Sequence, residues 1–385
     1  MAAPPGTPVD AVDPPDPTDF VATSRSVDPS IWSMRSVETI AASADAGVLV
    51  AGRERLLAGR GVAATLPLPC GLQDEAALVA LRAWLAAVEI ATPDVDRPST
   101  SPPGVMALGA FPFDRAAPAA LVVPSVTWCH DSGGHTWRVE VRRRGATAEG
   151  SGTDAVRRAD DDRTDAAPAP GADAATVGAP RIDQVPAPGH YADAVARAVA
   201  DIRSGRLRKV VLARMVEVLL TAPAVPSRVL GALWGGDPVF SPFSVPTQTG
   251  RLVGASPELV ISRRDRTVTS HALAGTTPLS EPDAKGDAAT ADAARLFDSV
   301  KDRNEHRMVV EEIVDALERR CVALTVPVEP TVVRLRSDAR LGTLIRGTLT
   351  NVPSDGDAAL SLLALLHPTP AVAGVPRAAA HERIA

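Results

Sequence analysis

Four segments in the second half of the chain set polar side chains inside apolar runs, and each has two readings. Lys209 opens Lys209-Val-Val-Leu-Ala-Arg-Met-Val-Glu-Val-Leu-Leu220, the most apolar strand-like run of the chain. A lysine at a strand end ordinarily reaches solvent. One that is desolvated there has its charged form disfavoured and can serve as a base. Glu258, in Gly254-Ala-Ser-Pro-Glu-Leu-Val260, is either a turn glutamate or a carboxyl kept protonated by its apolar setting, and so a general acid. Glu305 and His306 lie in Lys301-Asp-Arg-Asn-Glu-His-Arg-Met308. There Lys301 and Glu305 form an ordinary helical pair worth about 0.3 kcal/mol, or Glu305 offers an oxygen to Mg²⁺, which takes few carboxylates and keeps several waters. His367 begins His367-Pro-Thr-Pro370. Either a helix dipole favours it at a C-terminus, or the prolines hold the imidazole for a pocket.

The elements that must carry these residues follow from periodicity. Gln73 to Ile90 reads as a helix, with Leu78, Leu81, Leu85 and Val88 on one face and Asp74 and Glu75 at its positive end. Leu121–His130 and His135–Arg142 read as strands around the turn Asp131-Ser-Gly-Gly134. His190–Ser204 is helical, with Gly205 as its stop, and Lys209–Leu220 reads as one long inner strand. Arg251–Ser262 and Thr267–Leu273 flank a second hairpin turn, Arg263-Arg-Asp-Arg266. Ala288–Arg320 is one long helix or two consecutive ones, and Asp357–Leu366 is a short one. Hairpins and helices without regular alternation predict an α+β fold.

Composition divides the chain into four parts. Residues 1–30 hold seven prolines and read as a disordered arm, because such a segment buries too little apolar surface to offset its ordering entropy. Residues 31–145 form an N-terminal subdomain, 146–180 an Ala/Asp/Pro-rich linker or loop, and 181–385 the pattern-dense region that holds all four segments. With a net charge of −6 and 3% aromatic residues, no nucleic-acid partner is expected. The longest apolar helical run, Ala358–Leu366, is under half of the roughly 20 residues a membrane span needs, and no signal-peptide pattern is present. A cytoplasmic protein without a membrane partner is expected. The three cysteines are far apart, which argues against a disulfide framework or structural zinc. GxxxxGK[ST], HExxH and GxSxG are absent.

Taken together and in order, the helix with Lys-Val-Val-Leu-Ala-Arg214, Gly-Ala-Ser-Pro-Glu-Leu259, Ser270-His-Ala-Leu-Ala-Gly-Thr276, Lys301-Asp-Arg-Asn-Glu-His306 and His367-Pro-Thr-Pro-Ala-Val-Ala-Gly-Val-Pro-Arg377 resemble the chorismate-utilising enzymes. Gly109-Ala-Phe-Pro-Phe-Asp114 is similar to that family's N-terminal strands. The resemblance implies two facing β-sheet subdomains with outer helices and Mg²⁺ at the substrate carboxylate. It implies Lys209 as the base that activates water, Glu258 as the acid for the departing hydroxyl, and Glu305 as a metal ligand. It further implies substrate contacts from Ala274, Gly275, Thr276 and His367. Lysine at 209 points within the family to water rather than ammonia. The implied activity is therefore an Mg²⁺-dependent isochorismate synthase, serving siderophore or menaquinone biosynthesis, with a salicylate synthase as the alternative.

Two departures accompany the resemblance. Family members commonly carry a histidine where Arg340 stands. They also continue beyond the position of Ala385, adding strands, a glycine-rich loop, an arginine and further carboxylates. Pro376–Ala385 reads as a helix with no closing signal. On this reading the chain is C-terminally truncated, a monomer when complete, and a second alternative is a catalytically dead or partner-dependent member.

Overall fold

The computed structural model describes residues 13–27, 47–52, 55–91, 103–145, 180–234, 239–279, 287–350 and 357–384. In chain order the first strands are β1 (Phe20–Val27), β2 (Val48–Ala51), β3 (Arg55–Arg60), β4 (Ala64–Leu68), β5 (Glu89–Ala91), β6 (Leu108–Ala110), β7 (Ala119–Val123), β8 (Val126–Asp131) and β9 (Thr136–Arg143), with helix α1 (Glu75–Ala87) after β4. Then come β10 (Arg181–Val185), α2 (Pro188–Arg203), β11 (Lys209–Val210), β12 (Met215–Leu219), α3 (Pro226–Trp234), β13 (Ser241–Thr247) and β14 (Gly250–Ser256). The last part holds β15 (Leu259–Arg264), β16 (Thr267–Pro278), α4 (Asp287–Asp298), α5 (Val300–Glu318), β17 (Cys321–Thr325), β18 (Thr331–Arg334), β19 (Asp338–Leu349), α6 (Asp357–Leu366), β20 (Gly374–Val375) and α7 (Arg377–Ile384). The α+β class is as expected. No helix among the described residues is long and apolar enough to cross a membrane.

These elements form two compact units. The first draws on Met1–Gly178 and Ala222–Ser256, the second on Ala179–Thr221 and Pro257–Ala385. The expected continuous region 181–385 is thus interrupted: α3 and the β13–β14 hairpin belong to the first unit, where β13 pairs with β2 through Phe243 and Ser244. Leu230 of α3 is buried with Leu49, Ala58 and Trp128. The apolar residues of 226–234 satisfy that sheet instead of extending the C-terminal one.

The first unit has an eight-stranded sheet, β14-β13-β2-β3-β8-β9-β1-β5, and a three-stranded one, β4-β7-β6. The reading of 1–30 as an arm is corrected here for Phe20–Val27, which pairs antiparallel with β9 over its whole length. Six of the seven prolines precede the strand, the last of them Pro17, and alternate residues of the strand, Phe20, Ala22 and Ser24, are buried. Trp84 of α1 meets Phe20 edge-on at 5.3 Å. Residues 28–46, and 146–179 of the predicted 146–180 linker, lie outside the described residues.

The second unit is built on a five-stranded sheet in which β15, β16, β19 and β17 follow one another and β18 also pairs with β19. Strands β16 and β19 run antiparallel from Thr267 opposite Thr348 to Pro278 opposite Asp338, with a shift between Ala274 and Thr276. Alternation sends Val268, Ala272, Ala274, Ile345 and Leu349 to one face, where Val309, Ile313 and Leu317 of α5 and Leu362 and Leu366 of α6 cover them. Each of the buried Val, Leu and Ile side chains contributes about 1.5–3 kcal/mol on burial. The site hangs on this packed face and its rim.

Lys209–Leu220 does not form one inner strand. Only Lys209 and Val210 pair with β20, and Met215–Leu219 pairs with β10 as a separate two-stranded ribbon. Its β-branched residues satisfy strand propensity without being covered. Ile182, Met215, Val216 and Val218 are exposed, and Leu219 is 69% exposed. Contiguous apolar surface beside open strand edges favours association. The chain is expected to self-associate, and Leu219→Lys together with Val218→Lys should shift its sedimentation toward monomer. A monodisperse wild-type monomer that binds no hydrophobic dye would count against this.

Candidate active site

The site starts from the first turns of α5. Ser299 caps the helix by accepting from the Asp302 N–H at 3.2 Å, while its hydroxyl donates to the Asp302 carboxylate at 2.5 Å. This reciprocal cap fixes where the helix begins, and with it the second-turn positions of Glu305 and His306. His306 is buried, with Nε2 2.7 Å from the Thr343 hydroxyl of β19. Burial lowers its pKa to about 4, so it ties helix to sheet as a neutral ring. Sequence reasoning placed His306 in the motif without seeing this partner, 37 residues away.

Lys209 is 6% exposed, and its ammonium donates to the Pro370 carbonyl at 2.5 Å. Glu305 Oε1 stands 3.5 Å from the same nitrogen. Burial lowers the Lys209 pKa, and the Glu305 charge opposes that shift. The lysine expected as a base is therefore desolvated rather than solvent-seeking. Its anchor is the loop after α6: β11 and β20 pair Lys209 with Val375, and the Arg208 and Val211 amides donate to the Val375 and Ala373 carbonyls, each at 2.7 Å. Gly374 permits this approach, since a Cβ there would meet the Lys209 carbonyl oxygen at 2.3 Å. His367 follows α6 at the start of this loop, three residues before Pro370, and its backbone N–H donates to the Leu363 carbonyl at 2.8 Å.

Glu258 lies just before β15. Burial raises its pKa to about 7, and the charges of Arg340 and Lys209 and the Leu273 N–H oppose the rise. Near neutral pH a large fraction of it carries a proton, as a general acid requires. Lys209, Glu258 and Glu305 thus come together in the second unit, with Lys301, Arg340 and Pro370 as partners that sequence spacing did not single out, apart from Lys301.

Ala274-Gly275-Thr276 forms the irregularity in β16. Gly275 has φ +76°, and a Cβ on it would stand 2.9 Å from the Asp302 carbonyl oxygen. The glycine is thus required by the close approach of α5 to the sheet, and Thr276 is the exposed member of the three.

The donor set was expected to hold Mg²⁺ at Glu305. Its Oε1 faces Lys209 and its Oε2 faces Lys301, both at 3.5 Å. Among the described residues no group of three or more His, Cys, Asp or Glu side chains is arranged to hold a metal. A carboxylate neutralised by two ammonium groups is a poor cation ligand, so these residues do not by themselves fit an Mg²⁺ site.

The family described as chorismate binding enzyme matches residues 52–385. The Mycobacterium tuberculosis protein named MenF is 36% identical over 287 residues, covering 72% of this chain and 66% of that protein. Isochorismate synthase DhbC of Bacillus subtilis is 35% identical over 212 residues, covering 53% of this chain and 51% of that enzyme. The matches thus span about half to two thirds of those relatives' lengths. The crystal structure of the menaquinone-specific isochorismate synthase MenF from Escherichia coli shares the fold, with a TM-score of 0.70 at 22% identity over 97% of this chain and 80% of that one.

Two stability tests follow from this geometry. Gly275→Ala combines left-handed backbone strain with a clash on the Asp302 main chain, and should lower stability by at least about 2 kcal/mol in a denaturant titration. Glu258 has a folded pKa above its unfolded value. Its contribution is present at low pH and is lost as pH rises through about 7. Glu258→Gln should therefore raise the melting temperature at pH 8, by an amount corresponding to about 2 kcal/mol, and change it little at pH 5. An equal effect at both pH values would contradict the half-buried, proton-holding carboxyl.

Proposed function

Because this chain belongs to the chorismate-binding enzyme family, we propose that it interconverts chorismate and isochorismate by an allylic displacement of hydroxide by water. The observation that carries this reading is the pairing of Lys209 and Glu258 in one unit, the first with its charged form disfavoured by burial and the second held protonated to about pH 7. Environments that push a base and an acid toward neutral pH are how one site runs both halves of a proton-transfer reaction.

In the forward direction the neutral Lys209 amine takes a proton from water as its oxygen bonds to ring C2. The ring double bond shifts, the C4–O bond breaks, and the Glu258 carboxylic acid protonates the departing hydroxyl, which leaves as water. One water enters and one leaves, so the reaction is an isomerisation. The Pro370 carbonyl orients the amine, and Glu305 balances the ammonium that forms. These two contacts place the lysine without requiring a second base. One relative is named as menaquinone-specific and another as vibriobactin-specific, which supports siderophore or menaquinone biosynthesis as the downstream use.

The test is product analysis by chromatography with chorismate in Mg²⁺-containing buffer. Isochorismate is the expected product, and its formation should fall about 10²–10⁴-fold in Lys209→Ala and in Glu258→Gln. The rate should decline as pH rises above about 7, where Glu258 gives up its proton. Rates like wild type in both variants would refute the acid and base assignments. Salicylate with pyruvate as the main products would move the chain to a lyase.

A further inference from the structure

Arg340 stands at the rim of the same sheet with half of its hydrogen-bonding edge committed. In β19 the side chains of Ala339 and Leu341 pack with Leu296 of α4, and Thr343 meets His306 of α5. By alternation Arg340 and Gly342 belong to the opposite face. Arg340 sits in register with Thr276 of β16 and Val333 of β18. A Cβ on Gly342 would meet His271 Nε2 at 3.1 Å and Leu273 Cδ2 at 3.0 Å, so this face runs from Arg340 past a notch at Gly342 to the histidine and leucine. The Leu273 N–H is the backbone donor to Glu258.

The Nε of Arg340 donates to Asp338 Oδ1 at 2.9 Å, and the side chain is 33% exposed. Asp338 is its hydrogen-bonded partner among the described residues, which leaves the Nη edge of the guanidinium available. Asp338 fixes the plane of the fork, so little conformational freedom remains to be lost on binding. Arg340 is also the largest opposing charge on Glu258, which puts the guanidinium near the acid. A cation already anchored on one edge, beside a carboxyl whose charge burial disfavours, is matched by a second carboxylate brought in by a ligand. Guanidinium groups take carboxylates in a planar, two-point geometry that a lysine or histidine does not reproduce.

We propose that Arg340 is a substrate-binding residue that receives one carboxylate of a dicarboxylate ligand and thereby sets the ligand's leaving group against Glu258. The inference deepens the reading of the site as a chorismate enzyme and rests on it. It also gives a physical role to a position where the family resemblance led to the expectation of histidine. A histidine at 340 would be largely uncharged at neutral pH and would offer at most one donor to the same oxygen pair.

The experiment is calorimetric titration of the full chain with chorismate, alongside steady-state kinetics, for wild type, Arg340→Met, Arg340→Lys and Arg340→His. Arg340→Met should weaken chorismate binding roughly 10–100-fold and raise KM more than it lowers kcat. Arg340→Lys should recover part of the loss, and Arg340→His less of it. Removing the guanidinium should also move the alkaline limb of the rate profile upward in pH, because the charge that lowers the Glu258 pKa is gone; a merely structural role would not move that limb. Unchanged melting temperatures would show that the variants fold. If wild type binds chorismate and Arg340→Met binds it equally well, the assignment of Arg340 is overturned while the family function stands. If wild type neither binds nor converts chorismate, the functional reading falls and this inference falls with it.

Discussion

A buried lysine ammonium is the constraint on which the second unit depends. Taking such a charge out of water costs several kcal/mol unless it finds partners, and Lys209 finds them far along the chain, in Glu305 and in the Pro370 carbonyl. Satisfying one charge therefore brings α5 and the loop after α6 to the same strand. The main chain adjusts to this requirement: β11 and β20 pair, and Gly374 has no side chain where it passes the Lys209 carbonyl. Arg377, at the start of α7, donates to the Leu365 carbonyl at 2.9 Å and holds the two ends of the loop together. Without the lysine this loop would lose its tie to α5 and keep its short ladder and the Arg377 contact.

The β16–β19 pair separates two kinds of chemistry. On its helix side the residues are apolar apart from the His306–Thr343 contact, and there the low pKa of the histidine keeps a charge out of the core. On the other side lie His271, Leu273 and Arg340, near the carboxyl of Glu258. The irregularity at Gly275 is where the sides meet, because there the N-terminal turn of α5 closes on the strand. A packed apolar face thus backs a polar one, and burial is the largest cause of the raised pKa of the acid.

How much of this was legible in the sequence depended on the range of the interaction. Lys209, Glu258 and Glu305 stood out because each interrupts an apolar pattern, which is a local signal. The helices from Ala288 to Arg320 and from Asp357 to Leu366 were legible for the same reason: periodicity and caps act within a few residues. The carbonyl of Pro370 was not, since any residue offers a carbonyl and only the fold selects one. The strand Phe20–Val27 was hidden by the prolines preceding it, although its buried Phe20, Ala22 and Ser24 alternate as a strand should. The run after Lys209 misled in the opposite way, because strand propensity says nothing about whether a strand will be covered. The placement of 222–256 in the first unit depends on pairing with β2, some 190 residues earlier, and has no local signature.

The position of Glu305 shows how a motif residue can be identified correctly and its task still depend on tertiary partners. From sequence it had one lysine neighbour, Lys301 at helical spacing, and its second oxygen was open for another role. The fold supplies Lys209 at that oxygen. Held between two ammonium groups, the carboxylate favours the protonated state of Lys209, while burial favours the neutral one. These two influences act on the same nitrogen with opposite sign. The Pro370 carbonyl accepts from either form of the amine but holds the ammonium more strongly, so it acts on the same side as Glu305. The loop fixes where the lysine stands, and Glu305 adds to how tightly its proton is held. Anything that draws Glu305 toward another cation relaxes that hold without moving the amine. Position is thereby held by the loop, while the part of the proton affinity that Glu305 supplies can change without moving the amine.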